Sequence, residues 1–209
     1  MKKIALTQRL LLNQNYFEVR EALDIKWGGL FKKLNFLPVI LPIEFEYKKY
    51  FNSIKIDGII LTGGNDLNVL NKNNLSLKRD QFEKKIIRYA IKKDIPIYGM
   101  CRGMQIISEY FGASFKKVKG QVAIRHSLTI NKKSKYFKEL NKLSTVNSFH
   151  SYAIDGLPKN MMVSATNENG IIKAMEHKKY KIFGQMWHSE RENSFDKNQI
   201  RLIKNFFSK

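Results

Sequence analysis

Five residues, Gly99-Met100-Cys101-Arg102-Gly103, constrain this chain more than any other feature of it. They stand between an apolar run, Ile95 to Tyr98, and a stretch that places Met104, Ile106, Ile107 and Tyr110 at helical spacing. A strand therefore passes directly into a helix, through a turn whose flanking positions have no room for side chains. Such an elbow lifts the intervening residue on strained backbone at the carboxyl edge of a sheet, and the helix turns its positive end toward that residue. Cysteine in that place reads as a nucleophile whose thiolate the helix favours. A lone cysteine is more often a small buried hydrophobe, and it is the glycines and the strand-to-helix context that overturn that reading here.

The flanking pattern supplies the rest of an α/β fold. Ile4 to Thr7, Leu37 to Pro42, Ile59 to Thr62 and Ile95 to Tyr98 are short apolar runs. Between them, Tyr16 to Leu34 and Leu77 to Lys93 carry apolar residues at helical spacing, the second with Phe82, Ile86, Tyr89 and Ala90 on one face. Alternation of this kind predicts a mostly parallel central sheet with helices on both faces. Arg79, Asp80 and Glu83 read as decoration of an exposed helix face. From Ser114 to Leu157 the pattern is short, polar and lysine-rich, as for strands and turns at a sheet edge. Ile171 to Glu176 and Lys181 to Trp187 read as two strands joined near His177, with Glu176 pairing with surface lysines. Phe195 to Phe207 reads as a closing amphipathic helix. With 209 residues and 43% hydrophobic positions, and no repeat or linker, the expectation is a single domain over 1–209.

Charge and cysteine content narrow the partners. Lys and Arg total 38 against 18 Asp and Glu, a formal charge of +20. The lysines come singly or in pairs, such as Lys116-Lys117 and Lys178-Lys179, with no run of five like charges, so the surface reads as solvated and not as a nucleic-acid stripe. Long-range steering of an anionic small molecule is compatible with that charge. A single cysteine permits no intramolecular disulfide and no multi-cysteine metal cluster, and no cofactor is expected. No apolar run approaches bilayer length, and the basic start meets Gln8 and Arg9 after four residues, so a cytoplasmic protein without membrane contact is expected.

A thiolate nucleophile needs a base and a group that orients the base. His188 and Glu190 are two residues apart near the end of the last apolar run, on one side of an extended segment, and complete a Cys101, His188, Glu190 triad. The oxyanion needs main-chain donors, which Gly63-Gly64 and the amide of Arg102 are placed to supply. Taken together, Gly99 to Gln105, Thr62-Gly63-Gly64-Asn65-Asp66, Val146-Asn147-Ser148-Phe149-His150 and Trp187-His188-Ser189-Glu190 resemble the class I glutamine amidotransferase superfamily, with its flavodoxin-like sheet. Within it the chain is most similar to the γ-glutamyl hydrolase, or peptidase C26-like, branch.

The resemblance implies hydrolysis of a γ-glutamyl amide through a γ-glutamyl thioester. It implies an oxyanion hole at Gly64 and Arg102, and contacts to the glutamyl group from Gln105, Asn147, Ser148 and His150. Two departures stand out: Ser189 replaces the usual Pro of the His motif, and Met186 stands where Gln is common, with Gln185 one position early. Gln8-Arg9, Trp27-Gly28-Gly29 and the compact length resemble, more narrowly, hydrolases of γ-glutamyl nucleotide amidates in capsule phosphoramidate synthesis. That implies an anionic nucleotide conjugate as partner. A glutaminase subunit that hands ammonia to a separate synthase is the alternative.

Overall fold

The computed structural model describes residues 1–208. Its strands are β1 (Lys2–Leu6), β2 (Arg9–Asn13), β3 (Glu18–Ala22), β4 (Phe36–Ile40), β5 (Gly58–Leu61), β6 (Ile97–Met100), β7 (Phe115–Lys117), β8 (Val122–Ser127), β9 (Thr129–Ile130), β10 (Thr145–Phe149), β11 (Tyr152–Ile154), β12 (Met161–Thr166), β13 (Ile172–His177) and β14 (Ile182–Gln185). Its helices are α1 (Lys26–Leu34), α2 (Tyr47–Ser53), α3 (Asn74–Lys92), α4 (Arg102–Tyr110), α5 (Phe137–Leu140) and α6 (Lys197–Ser208), with a 3₁₀ turn over Ser189–Arg191.

Eight strands form one sheet in the order β4-β1-β5-β6-β14-β13-β12-β9. The first five run parallel, and β13, β12 and β9 continue the sheet antiparallel. Every residue of β5 and β6 is buried, as expected of strands covered on both faces. Pro38, which cannot donate to a ladder, lies in the edge strand β4. One face packs α1 and α6 through Trp27, Phe31, Leu202 and Phe206. The other packs α3 and α4 through Phe82, Ile86, Met104 and Ile107.

Local chemistry sets the helix limits. Asn73 caps α3 by accepting the Ser76 N–H at 2.8 Å, and Asp196 takes the Asn198 and Gln199 N–H groups, each at 2.8 Å, ahead of α6. Asn35, at φ 56°, ends α1. The continuous helix expected over 16–34 is instead the hairpin β2-β3 followed by α1. Its helical period joined Phe17, 95% exposed in the turn between β2 and β3, to Leu30, Phe31 and Leu34, which face the core from α1. The region 114–157 folds into ribbons, β8 with β10 and β7 with β11, laid beside the main sheet.

Candidate active site

The carboxyl ends of β1, β5, β6 and β14 converge, and the segments leaving them carry Thr7, Thr62 to Asp66, Cys101 and His188. Cys101 sits at φ 52°, ψ −106°, a conformation costly for an L-residue. The two glycines make it possible. A Cβ at Gly99 would fall 2.6 Å from the Gly103 backbone, and one at Gly103 would fall 1.9 Å from the Leu61 carbonyl oxygen. The Cys101 N–H donates to the Gln185 carbonyl at 2.8 Å, tying the elbow to β14.

His188 Nδ1 lies 2.6 Å from Glu190 Oε1, and both residues are buried. With Nδ1 engaged by the carboxylate, Nε2 is the free ring nitrogen. The backbone of His188 is held on both sides by one amide: Asn147 Nδ2 donates to its carbonyl at 2.8 Å, and its N–H donates to Asn147 Oδ1 at 2.8 Å. The ring also passes so close to Gly63 that a Cβ there would meet His188 Cε1 at 2.8 Å. Burial alone would push the Cys101 thiol up, but the adjacent His188 charge more than offsets it, and the thiol lies below its ordinary value. For His188, burial opposes protonation, yet the Cys101 and Glu190 charges raise it to about 10. Both shifts favour a thiolate–imidazolium pair.

Gly64, at φ +94°, and Arg102, first residue of α4, each present a main-chain N–H with no partner among the described residues. Both are positioned by side chains of α3. Arg79 donates to the carbonyls of Thr62 at 2.9 Å and Gly63 at 3.0 Å, and to Glu83 at 3.0 Å. The Arg102 guanidinium pairs with Asp80 and Glu83. The exposed decoration expected of Arg79, Asp80 and Glu83 is thus overturned, since all three are buried. Two cations face two anions, so the cluster is neutral as a unit, and no member is left an uncompensated buried charge. Burial, then the Arg102 charge, lower Arg79 to about 10; burial, opposed by Arg102, leaves Asp80 raised. Glu83 is held low against burial by the two arginines.

A cavity of about 290 Å³ opens over Cys101, with Gly64, Arg102, Gln105, His150 and His188 on its wall. Asn147 and Ser148 do not line it. Asn147 stands behind His188, and Ser148, fully buried, accepts from Lys173 Nζ at 2.9 Å. Both side chains, placed by β10, are engaged in supporting the wall.

Lys173 was not anticipated from the sequence. It is buried without a carboxylate partner and donates to Gln121 at 2.8 Å, Ser148 at 2.9 Å and His150 Nε2 at 2.9 Å. Burial lowers it to about 8, and burial with the Lys173 charge pushes His150 down to about 3. His150 is therefore neutral, with Nδ1 donating to the Tyr152 carbonyl, which also accepts from Gln105. The signal was a lysine set between two apolar residues of a strand, Ile172 and Ala174. Glu176 likewise meets no surface lysine side chain; buried, it accepts from the Ser134 and Ser164 hydroxyls. Gln185 points away from the cavity, accepting from Tyr98 and donating to the Trp187 carbonyl and Ser189. Ser189, in place of the usual Pro, therefore anchors the turn that carries Glu190.

Solved structures share this architecture. A glutamine amidotransferase from Thermotoga maritima superimposes with a TM-score of 0.67 at 18% identity, covering 98% of this chain and 83% of its own. A chain described as a GMP synthase subunit, from Thermoplasma acidophilum, gives 0.74 at 21% identity, covering 99% and 92%. The fold is thus that of the glutamine amidotransferases. The family model for peptidase C26 matches residues 13–190, and the chain belongs to that family. Among curated relatives, the γ-glutamyl-CDP-amidate hydrolase of Campylobacter jejuni subsp. jejuni is 38% identical over 208 residues, covering 98% of this chain and 97% of that protein. A subunit of the glutamine-hydrolysing GMP synthase of Methanococcus aeolicus is 25% identical over 167 residues, covering 80% and 81%. No helix is long and apolar enough to cross a membrane among the described residues.

Proposed function

We propose that the protein hydrolyses γ-glutamyl-CDP-amidate to glutamate and CDP-amidate, in the cytoplasm, with Cys101, His188 and Glu190 as its catalytic triad. The observation that carries the substrate is the 38% identity to the Campylobacter hydrolase over nearly the full length of both chains. The Cys101 thiolate attacks the γ-carbonyl carbon, and the oxyanion settles against the Gly64 and Arg102 N–H groups. His188 gives its Nε2 proton to the leaving nitrogen, the C–N bond breaks and CDP-amidate departs. Water then attacks the thioester, returning one proton to His188; the C–S bond breaks, glutamate leaves and the thiolate is restored. Glu190 holds the imidazole by Nδ1 throughout, which keeps Nε2 directed at the reacting atoms.

Mass spectrometry of the purified protein with γ-glutamyl-CDP-amidate, glutamine and γ-glutamyl peptides tests this. Release of glutamate and CDP-amidate in equal amounts, with glutamine poor and Cys101→Ala inactive, is expected. Preferred turnover of glutamine would refute the substrate and favour the second reading, a glutaminase that serves a separate synthase, which the similarity to the Methanococcus GMP synthase chain supports. Glutamine turnover rising on addition of a partner synthase would identify that case.

A further inference from the structure

Most arginines near the cavity are paired. Arg102 is bound by Asp80 and Glu83, Arg79 by Glu83, and Arg125 by Glu192 at 2.9 Å. On the cavity wall Arg9 has no carboxylate partner and Arg191 only a long one, Glu190; neither guanidinium donates a hydrogen bond to any described residue. Asp66, the carboxylate on that wall, pairs with neither.

Their places are built. Asn65 accepts the Leu10 N–H at 3.0 Å and donates to the Leu10 carbonyl at 2.9 Å, fastening the start of β2 to the loop after β5. That brings Arg9 directly over Gly64, where a Cβ would lie 2.7 Å from Arg9 Nε. Arg191 ends the 3₁₀ turn that carries Glu190. Its guanidinium lies 5.0 Å from the centre of the Phe149 ring, and its Nε is 3.8 Å from Glu190 Oε1. One arginine therefore rises on the Gly64 side of Cys101 and the other on the His188 side.

We infer that Arg9 and Arg191 form a phosphoryl-binding clamp that selects conjugates whose leaving group is a phosphoramidate. This rests on the substrate proposed above. In such a conjugate the departing nitrogen is bonded to phosphorus, so anionic oxygens lie two bonds from the scissile amide. Once the carbonyl sits at Cys101, those oxygens enter the cavity and lose water, at a high cost unless a cation meets them. Guanidinium groups match phosphoryl oxygens with planar, paired donors, and neither of these two gives up a hydrogen bond on binding. The leaving nitrogen must face His188 to receive its proton, which sets the phosphoryl group beside Arg191, with Arg9 opposite.

The test compares wild type, Arg9→Met and Arg191→Gln on γ-glutamyl-CDP-amidate and on γ-glutamyl-p-nitroanilide, whose leaving group is uncharged. In parallel, inorganic pyrophosphate is used to protect Cys101 from iodoacetamide, each variant being referred to its own rate without pyrophosphate. Each substitution is expected to lower the ratio of the two kcat/KM values about 10- to 100-fold, the loss of a charge-assisted hydrogen bond. Protection by pyrophosphate is expected in wild type and lost in both variants. Equal losses on both substrates, as for an arginine that holds the glutamyl carboxylate, would overturn the clamp, as would protection that survives both substitutions. Arginine-dependent protection in a wild type that does not cleave the nucleotide amidate would sustain the clamp and refute the substrate.

Discussion

Replacing Arg79 by Met isolates what the buried cluster under the site does. Methionine fills much of the space, but Glu83 loses one of its two cationic partners and the carbonyls of Thr62 and Gly63 lose their donors at 2.9 and 3.0 Å. The cluster passes from two cations and two anions to one cation and two anions, inside a region where Arg79 and Glu83 are fully buried. Removing one member of a buried pair costs about 3–5 kcal/mol. In a chain of 209 residues that lowers the melting temperature by roughly 6–20 °C, at about 2–4 °C per kcal/mol. Activity should fall as well, because the two carbonyls Arg79 holds fix the turn that presents the Gly64 N–H. Full loss of an oxyanion donor costs about 10²–10³ in kcat, and a displaced one should cost at least about tenfold.

Calorimetric melting and kcat on the preferred γ-glutamyl conjugate, both at neutral pH, provide the readouts. Arg79→Lys, which keeps the charge but not the planar fork, should fall between wild type and Arg79→Met in both. A methionine variant melting within about 2 °C of wild type with kcat unchanged would refute the reasoning. It would mean that Arg102 alone holds Glu83 and that the turn after β5 needs no support from α3.

The remaining expectations concern the triad and the wall behind it. The thiolate–imidazolium pair sets the pH window: His188 is raised from 6.5 to about 10, so its stabilising contribution is complete below 6.5 and lost as pH climbs through about 10. The Cys101 thiol is lowered, so its contribution fades as pH falls through that lowered value. Activity, kcat/KM against pH, should form a bell with its alkaline limb near 10, and an alkaline limb at 6.5 would contradict the pairing. Asn147→Ala removes both 2.8 Å bonds to the His188 backbone and should lower kcat about 10- to 100-fold with KM little changed; a KM effect alone would make Asn147 a substrate contact after all. Lys173→Met should let the His150 imidazole rise from about 3 toward its ordinary range, read by histidine NMR titration, and an unmoved value would assign the depression to burial alone.

The contrast between what the sequence disclosed and what it concealed has one physical origin. Gly99 and Gly103 were legible because a Cβ at either would strike backbone, so the residue type itself records the geometry. Strands β5 and β6 were legible because burial on both faces demands a continuous apolar run. An interval of two pairs His188 and Glu190 on the expectation of an extended segment; instead Glu190 stands in the 3₁₀ turn after His188, which still brings its carboxylate 2.6 Å from Nδ1. Charged residues carry no such record. Arg79, Asp80 and Glu83 occupy α3 as any solvated triplet would, and Arg102 from α4, together with the Thr62 and Gly63 carbonyls, makes their burial tolerable. Lys173 and Glu176 repeat the lesson in β13, where the partners come from β10, β12 and the loops before β8 and α5. The same reasoning separates Asn147 from His150. Both belong to one motif, yet only the register of β10 and the turn after it decides that the first grips the backbone of the base while the second faces the cavity. Helix α3, read as a support for the core, thus also sets the two main-chain donors of the elbow. A change there is expected to alter catalysis without touching any residue that meets the substrate.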